Sequence, residues 1–175
     1  MGRTGLSRPA FYAYFKDRYE LVTRLLEGIG GLLFAVDRRW LAGDPAEGRE
    51  ASAAALEEAL RLGAETFERY GPVLRAISDA ASHDERVEEV YRFGLIERLT
   101  TAVAGRIERD VEAGISSGVL MPEETARALV LMTERYLIDA FGGPAARSRE
   151  ETTVVVETLQ TIWLRALYVQ ADPRS

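Results

Sequence analysis

No cysteine occurs in this chain, and histidine occurs once, at His83. That excludes disulfides, thiolate nucleophiles and thiolate-bound metals, and it puts a His-rich metal site out of reach. A carboxylate-only site stays open on composition, since Asp and Glu together number 28. Nothing approaches the roughly 20 consecutive apolar residues that cross a bilayer, so no membrane partner is expected. The N-terminus lacks the basic-then-apolar pattern of a secretory leader, and a cytoplasmic location is the expectation. Alternating polar–apolar stretches and hairpin turn pairs are missing too, which leaves an all-α chain. There is no internal repeat, and the alanine-rich stretch 51–55 is ordinary helix composition.

What is present is 175 residues, 47% of them hydrophobic, enough for one good core plus a small appendage. The net charge of −6 hides an asymmetry. Residues 1–18 carry Arg3, Arg8, Lys16 and Arg18 against Asp17, a local +3 that leaves −9 for the rest. A nucleic-acid contact would have to be confined to that patch, because the bulk charge repels phosphate. Four basic residues in eighteen is also what an ordinary surface carries.

Ser7 is a good helix N-cap, and Pro9 falls in the first turn, where its missing N–H costs nothing. Phe11 and Phe15 share one face of this short helix, Tyr12 and Lys16 another. Asp17 can cap a second helix from Arg18, which Leu21, Val22, Leu25, Leu26, Ile29, Leu32, Leu33 and Val36 carry for about six turns before Ala42-Gly43-Asp44-Pro45. Gly28, Gly30 and Gly31 weaken it, by about 1 kcal/mol each if exposed, and mark a kink or a close approach. A helix over 48–70 is expected to break at Gly71-Pro72, with a short helix over 73–81 after it. A long helix follows over 86–115, then a turn punctuated by Gly114, Gly118 and Pro122. The last two helices run over 123–141 and 149–169, separated by Gly142-Gly143-Pro144.

Those last two helices are apolar over far more than the stripe of about 100° that an amphipathic surface helix shows. They need two buried faces. The second is expected to be a partner subunit across a two-fold axis, the alternative being a central place within the monomer. Glu134-Arg135, and more weakly Asp139, interrupt this apolar pattern. Buried ions need partners, so each either finds one on a neighbouring helix or across a dimer, or faces solvent.

Ser82-His83-Asp84 invites a hydrolase reading. Adjacent residues do not make a triad, whose roles need convergent side chains at hydrogen-bond distance. The stretch reads as a cap with solvent contacts, and no catalytic residue is assigned.

Gly5-Leu6-Ser7, three further residues, Phe11-Tyr12, one residue, Tyr14-Phe15 and then Lys16-Asp17-Arg18 resembles the signature of the TetR family of transcriptional regulators, with Arg18 where lysine is usual. Leu6-Ser7-Arg8-Pro9-Ala10-Phe11-Tyr12, Leu131-Met132-Thr133-Glu134-Arg135 and Thr161-Ile162-Trp163 with Leu167-Tyr168 are most similar to its EthR-type subgroup. The resemblance implies a TetR-like helical bundle with a two-helix C-terminal dimerisation surface. It also implies that Ser7, Arg8, Pro9 and Ala10 approach base edges while Tyr12, Tyr14, Lys16 and Arg18 contact phosphates. A helix N-terminus with hydroxyl and cationic donors suits phosphate oxygens, and the Arg8 fork can pair with guanine. Tyr12 and Tyr14 are otherwise half-buried packing residues, and Phe11 and Phe15 are structural.

For a ligand the resemblance points to Phe67, Ile96, Leu99, Val103, Val130, Thr133 and Trp163, then to Tyr91, Phe93 and Tyr136. The subgroup has asparagine where Val130 and Thr133 stand here, so a more lipophilic molecule is expected. Family members place further helices before the reading helix, where this chain has only Met1 to Leu6. The expected division is therefore a recognition-helix remnant over 1–18, a connecting helix over 19–43 and a ligand-binding and dimerisation domain over 44–175. The expected protein is a ligand-responsive DNA-binding regulator, a homodimeric repressor without cofactor, whose shortened head gives this stretch little operator affinity. The alternative is a helical homodimer that takes a lipophilic ligand or a protein partner without touching DNA.

Overall fold

The computed structural model describes residues 18–116, 119 and 121–168, without the side chains of residues 18, 36 and 37. Every regular element among the described residues is helical. The first helix, α1 (Arg18–Leu41), buries Val22, Leu26, Ile29, Leu33 and Trp40 on one face. Its glycines do not interrupt it. A Cβ at Gly28 or Gly31 would meet nothing, and only Gly30 is close-packed, 3.4 Å from Leu95. Asp44 then accepts the Ala46 N–H at 2.9 Å and caps a single 3-10 turn over Pro45–Glu47.

Helix α2 (Arg49–Ala81) corrects the expected break at Gly71-Pro72. Pro72 removes one backbone donor, normally a cost of about 3 kcal/mol or more in a helix interior. The helix continues because Phe67, Gly71, Leu74 and Ile77 are all buried along one face, and tertiary burial outweighs the local penalty. Gly71 is needed there for a different reason: a Cβ would run into the Phe141 carbonyl of another helix.

A second rod consists of α3 (Glu85–Tyr91), a π-helical turn (Arg92–Ile96) and α4 (Glu97–Glu112). It ends three residues before the expected limit, with Gly114 in the left-handed region at φ 73°. Helix α5 (Pro122–Phe141) starts with proline in its first turn, and α6 (Arg149–Leu167) starts with a full capping box between Ser148 and Glu151. The central α2 packs against α1, α3, α5 and α6, while α4 lies on α5 and α1.

Candidate ligand cavity

Five helices leave space between them. Leu33 and Trp40 of α1, Leu56, Ala59, Leu60, Gly63 and Phe67 of α2, Leu95 and Ile96 of the π-turn, and Leu99 and Val103 of α4 wall it. Val130, Thr133, Glu134 and Leu137 of α5 and Trp163 of α6 complete it. Its volume is about 80 Å³. That is room for a compact molecule, below the roughly 300–1,000 Å³ of drug-sized sites, so a larger ligand has to displace side chains. The wall is aliphatic and aromatic apart from two side chains. Thr133 Oγ1 accepts the Trp163 indole N–H at 2.8 Å. The Glu134 carboxylate accepts the Tyr91 hydroxyl. Burial raises the Glu134 pKa above its usual value; the hydrogen bond from Tyr91 and the charge of Arg135 oppose the shift without cancelling it. Tyr91 is likewise raised, by burial first and by the neighbouring carboxylate second.

Trp40 belongs both to this cavity and to a buried polar knot below it. Its ring meets Trp163 edge-on, with centroids 5.9 Å apart at 86°. Its indole N–H donates to the Tyr168 hydroxyl at 2.9 Å, and Tyr168 donates to Asp110 Oδ2 at 2.6 Å. Asp110 Oδ1 accepts Arg106 Nε at 2.9 Å, and the rest of that guanidinium donates to Ser52 Oγ at 2.7 Å and to the carbonyls of Gly43 and Trp40. Arg106 and Asp110 are each 1% exposed. The knot ties the ends of α1, α4 and α6 to the start of α2. Burial, more than the Asp110 hydrogen bond, holds the Tyr168 hydroxyl protonated well beyond neutral pH.

The sequence candidates separate cleanly by position. Phe67, Ile96, Leu99, Val103, Val130, Thr133 and Trp163 all lie in the cavity wall. Tyr91 is buried behind it and reaches it only through Glu134. Phe93 is 49% exposed, with the Arg92 guanidinium 4.0 Å from its ring centroid. The π-turn is the reason: its wider pitch parts Phe93 from Ile96, which an α-helix would set on one face. Tyr136 faces outward into a shallow groove between α5 and α6. Ser7, Arg8, Pro9, Ala10, Tyr12, Tyr14 and Lys16 lie outside the described residues, and Arg18 opens α1. Sequence reasoning missed Trp40, and the signal for it was faint: one large apolar residue just after the basic pair Arg38-Arg39. For Glu134 the signal was plain, a carboxylate inside an apolar helix, although its partner Tyr91 was not.

Ser82, His83 and Asp84 each engage a separate backbone partner. Ser82 Oγ donates to the Ser78 carbonyl at 3.3 Å, the His83 ring meets the Asp79 carbonyl at 3.0 Å, and Asp84 caps α3 by accepting the Arg86 N–H at 3.1 Å. Among the described residues no three His, Asp or Glu side chains gather as a metal site, and no helix is long and apolar enough to cross a membrane.

An all-α bundle of the TetR-like kind, packed around an apolar cavity, is the class this fold defines. Residues 56–169 match the family described as "Transcriptional regulator EthR, C-terminal domain", and the chain belongs to that family. It is a regulator of transcription, a class that is not an enzyme class. Over 168 residues it is 29% identical to the HTH-type transcriptional regulator EthR of Mycobacterium tuberculosis, which covers 94% of this chain and 73% of the relative. A regulator of the same name from Mycolicibacterium smegmatis is 27% identical over 173 residues, covering 94% of this chain and 72% of the relative.

Proposed function

We propose that the chain is a ligand-responsive, homodimeric DNA-binding repressor that works in the cytoplasm. A compact, largely apolar effector occupies the chamber between α1, α2, α4, α5 and α6. The observation that carries this reading is the cavity itself: an apolar space with two polar side chains, inside a member of the EthR family. Residues 1–18 supply the contacts to operator DNA, with 19–43 as the connecting helix and 44–175 as the regulatory domain. Two copies pair through the outer faces of α5 and α6. Leu131, Tyr136, Val154 and Ile162 support that, being exposed apolar or aromatic side chains on otherwise core-forming helices.

Trp40 gives the effector a lever. It walls the chamber, and it sits in the last turn of α1, the helix that follows residues 1–18 in the chain. A ligand that pushes on Trp40 changes how α1 is held by Tyr168 and Arg106. That biases the spacing of the two reading heads by a coupling energy of about 1–3 kcal/mol, the usual size of such effects. Native mass spectrometry of the purified protein tests the reading. The expected result is a dimer of twice the 19.4 kDa chain that carries a lipophilic small molecule or takes one up. A ligand-free monomer that accepts no apolar compound overturns it.

A further inference from the structure

We infer that the effector of this cavity carries a cationic nitrogen, which sits on the Glu134 carboxylate while its apolar body lies against Trp40, Phe67 and Trp163. This rests on the cavity being the effector site and names the chemistry that site selects.

The argument starts from what Glu134 lacks. Glu134 lines an otherwise apolar wall, and the internal partner of its carboxylate is the neutral Tyr91 hydroxyl. Among the described residues no arginine side chain forms an ion pair with it, and the adjacent Arg135 is exposed to solvent. An ionised carboxylate offers about four lone-pair sites, so Tyr91 leaves most of that capacity unused. A half-buried charge in apolar surroundings is costly until it is paired and hydrogen-bonded. The upward shift of its pKa expresses the same deficit. An ammonium group supplies both the pairing charge and the N–H donor.

The aromatic wall fits the same ligand. Two perpendicular indoles and a phenyl ring line the cavity, and aromatic rings attract a cation once water is excluded. The Arg106 guanidinium already lies 5.6 Å from the Trp40 ring centroid, which leaves Trp163 and Phe67 as the rings open to a ligand cation. Thr133 points to the competing chemistry. Its oxygen is taken by Trp163, which leaves its O–H free to donate to a carbonyl on a neutral ligand. Charge and hydrogen bonding together favour the amine, because a hydrogen bond to an ionised partner is about twice as strong as one between neutral groups.

Both tryptophans of the chain line the cavity, so intrinsic fluorescence reports its occupancy directly. Three probes of one shape separate the chemistries: N,N-dimethylbenzylamine, protonated at neutral pH, its hydrocarbon isostere isobutylbenzene, and the neutral carbonyl compound N,N-dimethylbenzamide. The amine is expected to bind about ten- to hundredfold more tightly than the hydrocarbon, the range spanned by a hydrogen bond to a charged group. Glu134→Gln should abolish that margin between the amine and isobutylbenzene. Tyr91→Phe, which keeps the carboxylate, should retain it. If the hydrocarbon or the benzamide binds as tightly as the amine, the cationic assignment is overturned and the cavity reading stands. If none of the three alters the fluorescence, both fall. The wild-type comparison decides the matter even where Glu134→Gln does not fold.

Discussion

Replacing Asp110 by alanine should be among the most damaging single changes in this chain. Asp110 holds two donors at once, Arg106 Nε at 2.9 Å and the Tyr168 hydroxyl at 2.6 Å, and both ion-pair members are 1% exposed. A surface pair is worth about 0–1 kcal/mol, but losing one partner of a buried pair strands the other charge and costs about 3–5 kcal/mol. Arg106 keeps its contacts to Ser52, Gly43 and Trp40, which satisfy donors but carry no compensating charge. For a chain of this size each kcal/mol moves Tm by about 2–4 °C, so Asp110→Ala should melt about 6–20 °C below wild type at equal protein concentration. The double variant Arg106→Leu with Asp110→Leu should lose clearly less than the sum of its singles, since it removes the orphaned charge as well. Urea titrations of the four proteins measure this coupling. A loss below about 1 kcal/mol for Asp110→Ala, or strict additivity in the cycle, would refute the claim that the knot acts as one buried unit.

Gly63 lines the cavity, and a Cβ there meets no atom within 4 Å. Gly63→Leu should therefore keep the fold, gain up to about 1 kcal/mol from helix propensity, and block ligand uptake; unimpaired uptake would show that the ligand sits elsewhere. Ile162 is 39% exposed on α6, and Ile162→Arg should convert a dimer into a monomer in sedimentation equilibrium. Trp163→Arg cannot serve for that test, because Trp163 is buried inside its own chain. The raised pKa of Glu134 has a definite sign: the folded state binds this proton more tightly, so the group's contribution is complete below its unfolded value of 4.5 and is lost as pH climbs through the raised one. The stability of Glu134→Gln relative to wild type should accordingly increase from acid to neutral pH in paired thermal melts, and a flat difference would contradict the assigned burial.

Helix positions were legible wherever one strong period governed a segment. The apolar period from Leu21 to Val36 set α1, and Gly142-Gly143-Pro144 separated α5 from α6 as expected. Local rules failed where a long-range contact outweighed them. Gly71-Pro72 is a helix breaker by any short-range criterion, yet α2 runs through it, because Phe67, Gly71, Leu74 and Ile77 are buried along one face against other helices, Gly71 beside Phe141, 70 residues further along the chain. The π-turn at Arg92–Ile96 left no mark in the apolar spacing, since Val87, Tyr91 and Leu95 fit an ordinary helix equally well.

The candidate site divides along the same line. Interior positions of the C-terminal helices can be read as facing inward, and Val130, Thr133 and Trp163 needed only that periodicity together with family resemblance. Trp40 needed something the sequence does not hold, namely that Tyr168, 128 residues away, brings a hydroxyl to its indole. Glu134 shows the converse. A carboxylate set among apolar neighbours announces a constraint without saying which group meets it. Tyr91 meets only the hydrogen-bonding part, from the last residue of α3. Among the described residues no ion pair meets the charge. Polar residues in an apolar pattern therefore mark where such a domain can discriminate between ligands, and the fold determines what chemistry is still missing there.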